Sequence, residues 1–335
     1  MSALFPTRKR AFTFRAGAIM VRLLLLRLII CVLILGGAAH AQMRVSFQYV
    51  TAIGGRGNGP GQFLEPSALT LDMSGNIYVA DTGNDRIQKL KSNGTFLREV
   101  GGFGWQDGQF NKPTGIAAGK GLELYVADSR NQRVQIFNLQ LLLMGVIGGQ
   151  GVDGRPEFGE LSRVFVTGAR EVYVTDLDAD QLVQIDRFSR IDRSYSGFAY
   201  DSGQLRRPMG IAVDGRDAVF VCDKENDRVA VFDHSGGLKR SLGDDVLIQP
   251  AGLCLASDNT LVVTDTGHHR IVVFDIKTGD VIGHIGGPDS GSGPLSFRHP
   301  SDVVLGKAGA LFVLDSGNHR IVHLKMHVTN HKRQK

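Results

Sequence analysis

Residues 77–87 read Ile77-Tyr78-Val79-Ala80-Asp81-Thr82-Gly83-Asn84-Asp85-Arg86-Ile87. A β-favouring run enters a cluster of turn residues and a second apolar run leaves it, which is the pattern of two strands joined by a tight turn. The segment recurs as ADSRNQRV, TDLDADQL, CDKENDRV, TDTGHHRI and LDSGNHRI, led by Asp128, Asp176, Asp223, Asp265 and Asp315. Counted from Asp81, the intervals are 47, 48, 47, 42 and 50 residues. Fifteen residues before each Asp stand Pro66, Pro113, Leu161, Pro208, Pro250 and Pro300, so a fixed part of the unit holds while insertions fall elsewhere.

A period of this length marks a repeat architecture. Within each unit glycines precede the Pro, a short apolar run follows it, a second run leads into the Asp, a third leaves the Arg, and a fourth reaches the next glycines. Four short strands joined by turns form one antiparallel propeller blade. The fold class is therefore all-β, a six-bladed β-propeller of four-stranded blades. The last unit ends its third strand near Met326, whereas Val45 to Ile53 is a strand without a unit. The amino-terminal strand is expected to complete the last blade, which removes exposed sheet edges.

The motifs resemble the NHL-repeat family, whose pattern runs G-G, P-x-G-I-A-V-D and I-Y-V-A-D-x-x-N-x-R-[IV]. The nearest copies are Pro208-Met209-Gly210-Ile211-Ala212-Val213-Asp214 and Ile77 to Ile87, and the resemblance spans residues 45 to 328. The third unit departs most, with Leu161 for the Pro, Ala179 for the Asn and Gln181 for the Arg.

The first 41 residues carry Arg8, Lys9, Arg10, Arg15, Arg22 and Arg27, no acidic residue, and then 12 apolar residues from Leu28 to Ala39. With Ala39-His40-Ala41 before Gln42, this reads as a secretory leader cleaved near Ala41. The apolar run is short of a membrane span. Translation from Met20 would give a more compact leader. The expected organisation is a leader at 1–41, a propeller at 42–328 and a disordered basic tail at 329–335, with the mature protein outside the cytoplasm, periplasmic or secreted.

Without the leader, 32 basic residues stand against 33 acidic ones, a net charge of about −1. That argues against a nucleic-acid partner, which calls for a basic stripe on the folded domain. Cys222 and Cys254 fall inside strand patterns and read as buried free thiols.

Residue types that recur in nearly every unit point to a scaffold, because a site is usually asymmetric. Asp81, Asn84, Arg86, Asp128, Asn131, Arg133, Asp176, Asp223, Asn226, Arg228, Asp265, Arg270, Asp315, Asn318 and Arg320 are accordingly assigned to turn structure, where carboxylates accept turn amides and Arg bridges carbonyls. In a four-strand meander the fourth-to-first loops and the second-to-third turns emerge on one face. Those loops differ in sequence while the strands repeat, so ligand contacts are expected there. The candidates are Arg56, Trp105, Asp107, Arg155, Arg207, Arg298 and His299. Trp105, the single tryptophan, has packing against a neighbouring blade as its alternative. Two residues after the Pro, where other units carry Ala68, Gly115, Gly210 and Gly252, stand Arg163 and Asp302. These opposite charges are expected to flank the channel mouth, orienting a polar ligand or holding water.

The function expected is a protein-, peptide- or glycan-binding platform acting as a monomer, without a cofactor. The alternative is a metal-dependent lyase or a lactonase-like enzyme with its site at the channel. His268, His269 and His319 are the weak candidate ligands for Zn, with Ca as the other metal considered. Neither G-x-S-x-G nor H-E-x-x-H occurs, which removes two common hydrolase routes.

Overall fold

The computed structural model describes residues 42–149, 157–195, 203–257 and 259–331. The expected leader, Arg155 and residues 332–335 of the tail lie outside them.

The chain opens with β1, Gln42–Gly54, and then builds blades in order. Blade one holds β2 (Ala68–Leu71), β3 (Ile77–Asp81), β4 (Arg86–Leu90) and β5 (Phe96–Gly101). Blade two holds β6 (Pro113–Ala118), β7 (Glu123–Asp128), β8 (Arg133–Asn138) and β9 (Leu143–Gly148). Blade three holds β10 (Leu161–Val166), β11 (Val172–Asp176), β12 (Gln181–Ile185) and β13 (Ile191–Tyr195). Blade four holds β14 (Pro208–Val213), β15 (Val219–Asp223), β16 (Arg228–Phe232) and β17 (Leu238–Leu242). Blade five holds β18 (Pro250–Ser257), β19 (Thr260–Asp265), β20 (Arg270–Asp275) and β21 (Val281–Gly286). Blade six holds β22 (Pro300–Leu305), β23 (Ala310–Asp315) and β24 (Arg320–His331), and takes β1 as its fourth strand.

All six sheets are four-stranded and antiparallel, and the first strands touch in a closed ring from β2 through β22 and back. β1 pairs with β24 from Gln42 opposite His331 to Gly54 opposite Arg320, with a bulge between Tyr49 and Thr51. This pairing carries the folded unit three residues past 328, because Thr329, Asn330 and His331 find partners in Arg44, Met43 and Gln42.

Position in the blade explains composition. Second strands such as Ile77-Tyr78-Val79-Ala80-Asp81 are wholly buried, since neighbouring blades cover both faces, and they read as continuous apolar runs ending in Asp. Fourth strands lie at the rim and mix exposed charge with apolar residues, as in Phe96-Leu97-Arg98-Glu99-Val100-Gly101. Between blades the apolar faces form separate clusters, for example Tyr78, Phe110 and Phe137 between blades one and two.

A further repeat feature holds the loops down. Three residues before each Pro position lies a buried Phe63, Phe110, Phe158, Leu205, Leu247 or Phe297. At Gly54 and Gly148 the backbone turns with φ of 89° and 79°, and a Cβ there would overlap the ring of Phe63 or Phe158, so only glycine admits the plug.

Candidate functional site

The face carrying the long loops is organised by the Asp-turn side chains. In blade one Asp81 is fully buried. Its Oδ1 accepts the Leu64 amide at 2.7 Å, and Oδ2 accepts Asn84 Nδ2 at 2.9 Å, Arg86 Nε at 2.8 Å and Gln88 Nε2 at 3.1 Å. Asn84 then donates to the Gly57 carbonyl, and Arg86 to the carbonyls of Asn58, Gly59 and Gln62. The turn is thus clamped to the loop that leads into its own blade.

Blades two and six repeat the clamp. Asp128, Asn131 and Arg133 hold Gly104, Gln106 and Gln109, and Asp315, Asn318 and Arg320 hold Gly291, Ser292, Gly293 and Ser296. In blade four Asn226 and Arg228 reach the Gln204 carbonyl while bound to Asp223. In blade five His268 takes the Asn position, its Nδ1 2.9 Å from Asp265 Oδ2, and Arg270 pairs with the same carboxylate. Blade three lacks both partners, and Asp176 instead accepts the amides of Gly159, Asp178 and Ala179.

A second device joins adjacent blades. The residue after each turn Asn position adopts the left-handed conformation, at φ of 50° for Asp85 and 54° for His319. Asp85 Oδ1 accepts the Lys112 amide, Asp180 that of Arg207 and Asp227 that of Gln249. In blades five and six the acceptor is a histidine. His269 Nδ1 accepts the His299 amide at 3.1 Å, and His319 Nδ1 accepts the Glu65 amide at 3.0 Å. The His269 and His299 rings meet edge to face with centroids 4.5 Å apart. Burial, then His299 and Arg298, hold the His269 pKa below its ordinary value.

On the axis, Arg163 projects from blade three and closes the channel near the loop face. Its Nη1 donates to the Thr114 carbonyl at 2.8 Å, and its Nη2 to the carbonyls of Ser67 at 2.8 Å and Ser301 at 3.1 Å, in blades one and six. Only Nε lacks a partner among the described residues. Asp302, also buried, accepts the amides of Leu69 and Val303. Burial pushes the Asp302 carboxyl up and the Arg163 charge acts against that, so the two groups sense each other across the axis. Below this plug a cavity of about 330 Å³ is walled by first-strand residues including Thr70, Ala118, Val166, Val213, Leu255 and Leu305. Cys222 is buried and Cys254 half-buried. Both are free, and burial raises both thiols, Cys254 to about 12.

The described loop-face candidates come from the loops that lead into blades one, two, four and six. Arg56 and Arg298 are exposed, and Asp107 lies 3.6 Å from Arg133. Arg207 pairs loosely with Glu225 at 3.6 Å. Trp105 is 75% exposed rather than packed on a neighbouring blade, and Phe103 beside it is 67% exposed. Phe103 escaped notice in the sequence, although Gly102-Phe103-Gly104-Trp105 places two aromatics on one glycine-flanked tip. Among the described residues no group of three or more His, Cys, Asp or Glu is arranged to hold a metal, and no helix is long and apolar enough to cross a membrane.

Residues 63–90, 110–137, 247–274 and 297–324 match the NHL repeat family, which covers blades one, two, five and six. Over 58 residues the chain is 36% identical to Protein wech of Drosophila melanogaster, a match covering 17% of this chain and 7% of that protein. A structure of a Bacteroides thetaiotaomicron protein of unknown function superimposes with a TM-score of 0.66 at 13% identity, covering 85% of this chain and 77% of that one. Streptogramin B lyase superimposes with a TM-score of 0.55 at 12% identity over 87% of this chain and 100% of that one. Virginiamycin B lyase from Staphylococcus aureus does so at 0.53, also 12% identical, over 85% and 99%. At these identities the likeness is one of fold. The chain thus carries four matched NHL repeats within a β-propeller of six four-stranded blades.

Proposed function

We infer that the protein is an extracytoplasmic binding platform whose loop face takes a protein, peptide or glycan. One observation carries this reading. Phe103 and Trp105 are largely exposed, yet the carbonyl of Gly104 between them accepts Asn131 Nδ2 at 2.8 Å, and Arg133 holds Gln106 and Gln109 just beyond. Two aromatics on a pinned backbone lose little entropy on contact, which is how anchor residues of binding surfaces work. The repeated polar groups beneath are occupied with loop carbonyls, so they support the surface and leave recognition to the loop tips.

The test is a screen of the purified protein against peptide and glycan arrays, repeated with Trp105→Ala and Phe103→Ala. Both variants should melt within a degree or two of the parent, since neither side chain is buried and surface changes stay within about 0.5 kcal/mol. Ligands found by the parent should bind at least tenfold more weakly to the variants. Unchanged binding by both variants would remove the loop face from consideration.

A further inference from the structure

The residue following the turn Asp differs tellingly between blades. It is Thr82, Ser129, Leu177, Lys224, Thr266 and Ser316 in order. Where it is Thr82, Thr266 or Ser316, the hydroxyl donates to the carbonyl that opens the next blade's first strand, Pro113 at 2.7 Å, Pro300 at 2.6 Å and Pro66 at 2.5 Å. The position therefore sits at the channel mouth on the loop face, at a blade junction. In blade four an ammonium replaces the hydroxyl.

The mouth around Lys224 is lopsided. Arg163 spends its bonds to neighbouring blades on carbonyls of blades one, two and six, and none of them reaches blades four and five. Blades four and five contribute Met209 and Ala251 at the ring level of those carbonyls. Lys224 is half-buried, and its ammonium has no hydrogen bond or ion pair among the described residues. Burial, then Arg207 and Arg163, disfavour its charge more than Glu225 supports it. Glu225 itself is divided between Arg206 at 3.3 Å and Arg207 at 3.6 Å. Lys224, Arg206 and Arg207 thus share one carboxylate, Glu225, and the buried Nε of Arg163 remains without an acceptor.

We propose that Lys224, with Arg207 beside it and the Arg163 plug behind it, forms a carboxylate-binding site at the channel mouth. This deepens the reading of the loop face as the ligand face and rests on it. A carboxylate supplies the missing acceptor for a desolvated ammonium, and charge-assisted bonds of this kind are the stronger ones. A free organic acid and an acidic side chain or chain terminus of a peptide offer the same group.

The test is calorimetric titration of the purified protein with succinate and with a short Asp/Glu peptide, using the corresponding Asn/Gln peptide as control. Lys224→Thr installs the residue blade five carries and should fold with a melting temperature at or above the parent's. Lys224→Arg keeps the charge. The parent should bind a carboxylate probe at one site, Lys224→Thr at least tenfold more weakly, Lys224→Arg within a few-fold, and the amide peptide not at all. Binding of succinate identifies a free acid as sufficient, whereas binding of the acidic peptide alone identifies a chain-borne carboxylate. Silence from both probes, or equal binding by Lys224→Thr, overturns the site. If Lys224→Thr binds normally while Trp105→Ala loses array ligands, the carboxylate site fails and the platform stands. If neither change matters, both fail.

Discussion

At the scale of single residues, the same Asp carries different burdens in different blades. Asp81 accepts four hydrogen bonds, including that of a buried guanidinium, so Asp81→Ala leaves four donors without their acceptor and Arg86 with only the half-exposed Glu99 as counter-charge, and should cost about 3–5 kcal/mol by urea unfolding. Asp176 accepts only backbone amides, and Asp176→Ala should cost about 1–3 kcal/mol. Equal losses would mean that the Arg contributes nothing to the clamp. The Asp, Asn and Arg positions were legible in the sequence because one hydrogen-bonding demand recurs at one spacing. Lys224 was not, since attention to residues that repeat passes over the position where one fails to. The plugs Phe63, Phe110 and Phe297 could have been found at their fixed distance before the Pro. A lone phenylalanine in a glycine-rich loop, however, gives no periodic signal of its own.

Between elements, the blade-to-blade clasps divide by chemistry. Carboxylates serve where Asp85, Asp180 and Asp227 accept an amide. His269 and His319 accept only while Nδ1 is unprotonated. For His269 the folded pKa lies below the unfolded one, so the unfolded chain takes up the proton first. Stability from this group is complete above the ordinary histidine range near pH 6.5 and is lost as pH falls toward the depressed folded value. The groups facing it are His299, Arg298 and His268, which favour the neutral ring, and Asp315, which opposes them. Urea midpoints should therefore fall between pH 7 and 5. His269→Asp, the choice of blades one, three and four, should flatten that slope. A slope unchanged in this variant would clear the clasp of any part in it. From sequence these histidines suggested at most a metal. Only the folded chain reveals that their Nδ1 atoms face the amides of the next blade, because the partners lie 30 and 254 residues away.

For the molecule as a whole, the count of blades followed from the spacing of six Asp residues, and the closing strand from the unit left incomplete near Met326. Arg163 and Asp302 were placed at the channel by their register after the Pro position, whereas the carbonyls that Arg163 reaches and the cavity beneath it were not, because both depend on how the strands tilt toward the axis. Removing residues 42–54 should leave β24 with a bare edge and uncover the apolar residues that cluster with Val45, Phe47 and Ile53, among them Phe63, Leu324 and Met326. The shortened protein should elute as aggregates, bind a hydrophobic dye and lose its single sharp melting transition. A monomer with the parent's transition would show that the ring holds without its clasp.

The clasp also fixes how the ring answers to force. Gln42 and His331 are partners at the outer end of the β1–β24 ladder, so tension applied to these two residues loads one rung at a time. A chain pulled this way peels apart at low force from a single point. A pull delivered to a ligand seated on the loops spreads instead across six radial sheets. The propeller is thus strong toward a load on its loops and weak toward one at the outer end of its closing ladder.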